Sequence, residues 1–151
     1  MSESVQSKTA CNFCKQAVSN ENFLGIVETN SPSEFYDWKI TIIFYCGLHY
    51  MKSYALTKGT DLESHRDFNE KTISQSTGVR PELIIDGKIR SDYINLRGLS
   101  YHARYDGFFS SKIDKILIKG RLKDSKQYLS NVQNWIIPKL ERENIQTTYT
   151  F

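Results

Sequence analysis

The chain is poor in the residues that would organise it from outside a hydrophobic core. Its three cysteines, an odd number, do not make a disulfide framework and point to reduced thiols or a metal site. No run approaches the roughly 18 apolar residues of a membrane span. The opening MSESVQSKTA lacks a basic stretch followed by an apolar one, so a cytoplasmic protein is expected. Charge of one sign is also scarce. A net charge of +3 with 25% charged residues excludes a generally cationic coat for nucleic acid, so any basic site must be local. There are no repeats, low-complexity tracts or linkers, and only three prolines.

What is abundant is aromatic. Nine tyrosines and eight phenylalanines in 151 residues favour a packed core, and a chain of this length buries roughly two thirds of its unfolded surface in one domain. The densest stretch is Glu34 to Gly59, EFYDWKITIIFYCGLHYMKSYALTKG, with no proline. At 3.6 residues per turn it carries two apolar stripes. One runs Phe35, Trp38, Ile42, Tyr45/Cys46, His49, Ser53 and Leu56; the other runs Tyr36, Ile40, Ile43, Gly47, Tyr50 and Tyr54. A helix apolar on two faces is predicted to be central. Ser33 is placed to cap its start and Lys58-Gly59 to end it.

The surrounding segments read as further helices. Residues 1–9 are polar and expected to be a disordered tail. Ala10 to Thr29 predicts one or two short helices, interrupted near Ser19-Asn20. Asp61 would cap a helix over Leu62 to Ser76, ended by Thr77-Gly78-Val79-Arg80-Pro81. A short apolar piece, Glu82 to Ile85, then reaches a turn at Asp86-Gly87. Lys88 to Tyr105 predicts a helix in which Gly98 implies close packing or a local weakness. Asp106-Gly107 ends it, and Phe108 to Gly120 reads as loop running into helix. Arg121 to Arg142 carries the stripe Leu122, Ser125, Leu129, Val132, Trp135/Ile136 and Leu140, and Pro138 should bend or end it within a turn. The prediction is all-α: an up-and-down bundle of four to five helices as one domain over residues 10–143, with a polar tail at 144–151.

Chemistry is suggested at three places. Cys11-Asn-Phe-Cys14 and Cys46-Gly-Leu-His49 have the ligand types and local spacing of a zinc site; core packing of Cys46 and His49 is the competing reading. Arg97 and His102 could cleave RNA without metal, the histidine moving the 2′-hydroxyl proton and the arginine stabilising the phosphorane. Five residues turn about 500° on a regular helix, so this pair is expected to converge only if the helix loosens at Gly98 or a second subunit completes the site. Arg97, Ser100 and Arg104 form a stripe that could hold a phosphate, or the arginines could pair with Asp92 or Asp106. His65 and Arg66 open the helix after Gly59 and could lie near His49. Tyr101 and Tyr128 could stack bases.

The order of these segments resembles the HEPN superfamily. The resemblance covers about residues 34 to 106. It rests on Trp38, Tyr45, His49, Tyr50, Tyr54 and Leu56 in the central helix, on Ser64-His65-Arg66, and on Tyr93, Leu96, Ser100, Ala103, Arg104 and Tyr105. It implies a helical bundle that often dimerises, in a superfamily containing RNase toxins, defence and RNA-processing proteins, and noncatalytic members. Active members resembling RNases carry R-x(4 to 6)-H; Arg97 and His102 match, with Gly98 where Asn, Asp or His is usual. The working surface implied lies on the central helix and the Tyr93 to Tyr105 helix. Candidate ligand residues are therefore His49, His65, Arg66, Tyr93, Ser100, Arg104 and Tyr105. The expectation is a homodimeric, noncatalytic or accessory module that binds nucleotide, RNA or a protein partner and needs no cofactor. A metal-independent endoribonuclease of toxin or defence type is the alternative, and a zinc-stabilised adaptor a minor one.

Overall fold

A computed structural model describes residues 3–73, 78, 80–105 and 115–151, with side chains from residue 9 onward. It is an all-α bundle, as the patterning predicts: α1 Glu3–Asn30, α2 Tyr36–Thr57, α3 His65–Thr72, α4 Gly87–Tyr105 and α5 Lys115–Arg142. Among the described residues no helix is long and apolar enough to cross a membrane. The expected breaks at Thr77 and Val79 and at Asp106-Gly107, and the stretch from Phe108 to Asp114, lie outside the described residues.

The central position of α2 is observed: it packs against α1, α4 and α5, and α4 packs against α5. Every member of its second stripe is buried, from Tyr36 to Tyr54. The first stripe behaves differently. Cys46, Ser53 and Leu56 are buried, but Phe35 and Trp38 are 51% and 61% exposed, so the apolar pattern at the start of α2 marks a surface. Ser33 does not cap the helix. The N-cap is Phe35, left-handed at φ 58°, ψ 35°, without a side-chain cap bond. That conformation costs a residue with a Cβ about 1–2 kcal/mol. The preceding turn is held by Lys39, a buried lysine whose Nζ donates to the carbonyl oxygens of Ser31 (2.7 Å) and Pro32 (3.3 Å). At the other end Gly59 acts as expected. With φ 75° it sits at C′, while Gly59 N–H donates to Leu56 O and Thr60 N–H to Ala55 O, the Schellman pattern.

α1 is one helix, not two, and starts at Glu3, inside the stretch expected to be a tail. Ser19-Asn20 does not interrupt it, because the small residues Ala10, Cys14 and Ala17 form a fully buried stripe along the helix. Two hydrogen bonds fasten it to α2: Ser53 Oγ donates to Ala10 O (2.7 Å) and Tyr50 Oη to Glu21 (2.5 Å). α5 starts six residues before the expected Arg121 and ends at Arg142, one turn after Pro138. Its expected stripe is buried apart from half-buried Trp135, whose ring packs edge-on against Tyr54, 5.1 Å between centroids. The tail after it is anchored by a second Schellman cap, with Asn144 at φ 59° and Ile145 buried.

α3 is shorter than expected. Its cap is Ser64, accepting from Asp67 N–H at 3.1 Å, and not Asp61. A row of contacts joins it to α4: Thr72 Oγ1 accepts from Arg90 Nε (2.9 Å), Phe68 lies 4.5 Å from Tyr93 between ring centroids, and Asn69 receives Arg97. α4 itself is capped by Asp86, whose Oδ2 accepts from the N–H groups of Lys88 and Ile89. Buried Asp92 ties α4 to α5, accepting from Lys88 Nζ and Asn131 Nδ2, both at 2.9 Å.

Two of the helical glycines, Gly47 and Gly98, differ in role. A methyl group added at Gly47 would lie 3.2 Å from Leu96 Cδ2 and 3.8 Å from Leu129 Cδ1, so this glycine sets how closely α2 meets α4 and α5. One added at Gly98 would meet nothing within 4 Å, and α4 runs through it unbroken. Of the two expectations for Gly98, close packing is therefore not observed. Gly47→Val should destabilise the fold by about 1–3 kcal/mol through overpacking. Gly98→Ala should stabilise it by about 0.5–1 kcal/mol through helix propensity. Urea unfolding of the two variants beside the unaltered protein reads both signs; a neutral Gly47→Val would contradict the packing described.

Candidate functional site

α3 and α4 meet over a buried aromatic floor. Tyr93 projects from α4 into the interior, where it contacts Phe68 of α3 and Phe44 of α2, 4.5 and 6.0 Å between ring centroids. Burial pushes its phenol well above the ordinary range. Leu96, Ser100 and Ala103 continue this inward face of α4, and the residues beside them face outward. They line a cleft of about 430 Å³ formed by His65 from α3 and Ile94, Arg97, Gly98, Tyr101, His102, Arg104 and Tyr105 from α4.

The cleft is cationic. Arg97 is half-buried and fixed from α3: its Nη1 and Nη2 donate to Asn69 Oδ1 at 3.2 and 3.3 Å. Arg104 is fixed from α2 and from its own helix. Its Nη1 donates to Tyr45 Oη and its Nε to Ser100 O, both at 3.4 Å, and its guanidinium carbon stands 5.6 to 5.9 Å from the ring centroids of Phe44, Tyr45 and Tyr105. Among the described residues no carboxylate lines the cleft, and no Asp or Glu forms an ion pair with either arginine. His65 reports the resulting field. Its pKa is lowered, first by burial of its ring beside Phe44 and then by Arg97, Arg104 and Lys52.

His65 also borders a second hollow of about 310 Å³, with Lys52, Glu63, Ser64 and Tyr93 among its walls. The two hollows therefore meet at one imidazole. Its neutral form is favoured in the empty protein and its cationic form would be favoured by a bound anion.

Several sequence expectations converge here and others do not. Arg97 and His102 line the same cleft on a helix that stays regular through Gly98. The helix is not loosened at Gly98, and the two residues border the cleft from one regular helix. Arg104, His65 and Tyr105 join them. Ser100 does not: it lies on the inward side of α4, fully buried, with no hydrogen-bond partner for its hydroxyl among the described residues. Asp92 pairs with Lys88 and Asn131 rather than with an arginine, and Asp106 lies outside the described residues. Arg66 is exposed and paired with Glu70 at 2.7 Å, outside the cleft. Tyr93 belongs to the floor and touches the second hollow only.

His49 is likewise absent from both hollows. Its Nδ1 donates to Tyr45 O (2.7 Å) and its ring faces Phe13 of α1 at 5.8 Å; burial lowers its pKa. The zinc quartet is not assembled. Cys11, Cys14 and Cys46 are free thiols, and among the described residues no three His, Cys, Asp or Glu side chains are placed to hold a metal ion. Burial pushes the Cys14 thiol up to about 12 and raises Cys46 as well.

Asn69, Tyr45 and Lys52 were not identified from the sequence. The available signal was positional: Asn69 follows His65 by four residues and so shares its face of α3. A separate feature lies at the start of α2, where Phe23, Ile26 and Val27 of α1 and Phe35, Trp38 and Ile42 of α2 border an apolar groove of about 370 Å³. Comparison with protein-family models, with curated proteins and with solved structures gives no match to this chain.

Proposed function

We propose that the cleft between α3 and α4 binds the phosphate of a nucleotide or of RNA, and that the protein is a noncatalytic or accessory module of HEPN-like type. The observation that carries this reading is the gathering of Arg97, Arg104, His65 and His102 in one cleft that, among the described residues, no acidic side chain lines. Two guanidinium groups held by neutral partners, Asn69 and Tyr45, keep their charge for a ligand. Planar guanidinium forks suit phosphate oxygens better than point charges do. The low overall charge of the chain makes this a local site and not a general polyanion coat.

A metal-independent endoribonuclease is the second reading, favoured by the one fact that Arg97 and His102 line the same cleft. In it His102 moves the 2′-hydroxyl proton while Arg97 meets the charge that develops on phosphorus. Both readings are tested with one labelled single-stranded RNA in excess EDTA. Binding followed by anisotropy should weaken in Arg97→Gln and Arg104→Gln, with the salt slope falling by about 0.7 for each phosphate that is no longer neutralised. An unchanged affinity and slope in both variants would remove the cleft from the reaction. Strand cleavage that disappears in both Arg97→Ala and His102→Ala, with folding intact, would establish the nuclease reading in place of the accessory one.

The proposed module is also a homodimer, with the Phe35 and Trp38 groove as the contacting surface. Exposed aromatic side chains grouped around one groove are a common mark of protein contact surfaces. Sedimentation equilibrium should give twice the chain mass for the unaltered protein and the chain mass for Trp38→Glu. A monomer in both cases would overturn this part.

A further inference from the structure

Two features of the cleft are not explained by phosphate binding. The first is a pair of tyrosines, Tyr101 and Tyr105, 55% and 69% exposed on the same face of α4, with ring centroids 4.7 Å apart. A tyrosine pair four residues apart steadies a helix by only about 0.2–0.5 kcal/mol. That is a small return for two large rings left mainly in water. The second is Gly98, one turn before them on the same face. Neither backbone nor packing requires glycine there: it lies within a regular helix, it is not among the positive-φ glycines, and a side chain would meet open space. Helix propensity alone disfavours it by about 1 kcal/mol relative to alanine. Its effect is to leave the cleft floor bare between Arg97 and His102.

From this we infer that the cleft takes an unpaired nucleotide of a single strand, its base stacked on the Tyr101 and Tyr105 rings and its sugar-phosphate lying over Gly98 toward Arg97 and Arg104. The inference rests on the phosphate reading above and deepens it by adding the base. An exposed ring offers a face to any base, so recognition is of unpaired bases and not of sequence. Arg104 stands against the Tyr105 ring at 5.6 Å, which couples the stacking surface to the phosphate site. In a duplex the base faces are already covered by their neighbours, so a platform of this kind discriminates against double-stranded ligands. The bare floor at Gly98 admits backbone close to the helix, where any larger side chain would stand in its path.

The test compares three ligands, a short single-stranded RNA, its duplex and inorganic pyrophosphate, against the unaltered protein and three variants. These are the pair Tyr101→Leu/Tyr105→Leu, the pair Tyr101→Phe/Tyr105→Phe, and Gly98→Leu, each checked for helicity and unfolding temperature. The single strand should bind more tightly than the duplex. The leucine pair should weaken single-strand binding about tenfold and pyrophosphate binding much less, because both arginines are kept; the phenylalanine pair, which keeps the ring faces, should bind as the unaltered protein does. Gly98→Leu should weaken RNA binding without lowering the unfolding temperature. Single-stranded DNA of the same sequence shows whether the 2′-hydroxyl contributes: equal binding assigns recognition to base and phosphate, a preference for RNA adds the sugar. Single-strand binding untouched by the leucine pair, or a duplex bound as tightly, overturns the inference while leaving the phosphate site standing. Failure of pyrophosphate and every nucleic acid to bind overturns both.

Discussion

The contact of Tyr93 with Phe68 and Phe44 is the constraint on which the rest of the site depends. Three rings from three helices meet in the interior, each at most 2% exposed. Burying rings of this size contributes several kcal/mol in total, more than any of the surrounding hydrogen bonds. Once Tyr93 is turned inward the rotation of α4 is fixed, and so is everything on its outer side. Arg97 comes to Asn69, Arg104 to Tyr45, and Gly98, Tyr101 and His102 to the open face. The cationic cleft is thus a consequence of core packing. Its arginines are held between helices and do not sample solvent as they would on an isolated surface helix.

That arrangement also explains the electrostatic character of the site. Arg97 and Arg104 are oriented by an amide oxygen and a phenol, which fix direction without cancelling charge. Elsewhere the chain pairs its charges in the ordinary way, as Arg66 does with Glu70, Lys88 with Asp92 and Lys126 with Glu28. The contrast within one small protein is informative. Neutral partners around two half-buried guanidiniums suit an anion that arrives from outside.

Much of the fold was legible in the sequence. α2 and α4 are flanked by residues whose chemistry ends or starts a helix, Gly59 at one and Asp86-Gly87 at the other, and the stripe from Leu122 to Leu140 has one dominant face. Less legible was whether an apolar stripe has a partner. Phe35 and Trp38 continue the pattern of Cys46 and Ser53 without interruption, and only the end of α1 and the turn held by Lys39 decide that they face outward. The continuity of α1 was hidden for the opposite reason, since alanine and cysteine are weak apolar signals yet allow close helix approach. At the site, helical angles separate Arg97 and His102, yet both border one cleft. Spacing puts Ser100 on the face of Arg97 and Arg104 although it points to the core, and groups His49 with His65 although it faces α1. Asn69 and Tyr45 needed the tertiary structure, because nothing local marks a residue whose task is to orient an arginine from another helix.

The most direct test of a cleft built to receive an anion is the titration of the His65 imidazole, followed by NMR with and without pyrophosphate. In the empty protein His65 should titrate below the ordinary histidine value of 6.5, because burial and the charges of Arg97, Arg104 and Lys52 all oppose its protonation. A bound dianion reverses the sign of the local field and should raise that pKa. By linkage, binding is then accompanied by proton uptake and tightens as pH falls through the histidine range. An imidazole that titrates at its ordinary value and does not move with pyrophosphate would contradict the cationic cleft as the working site.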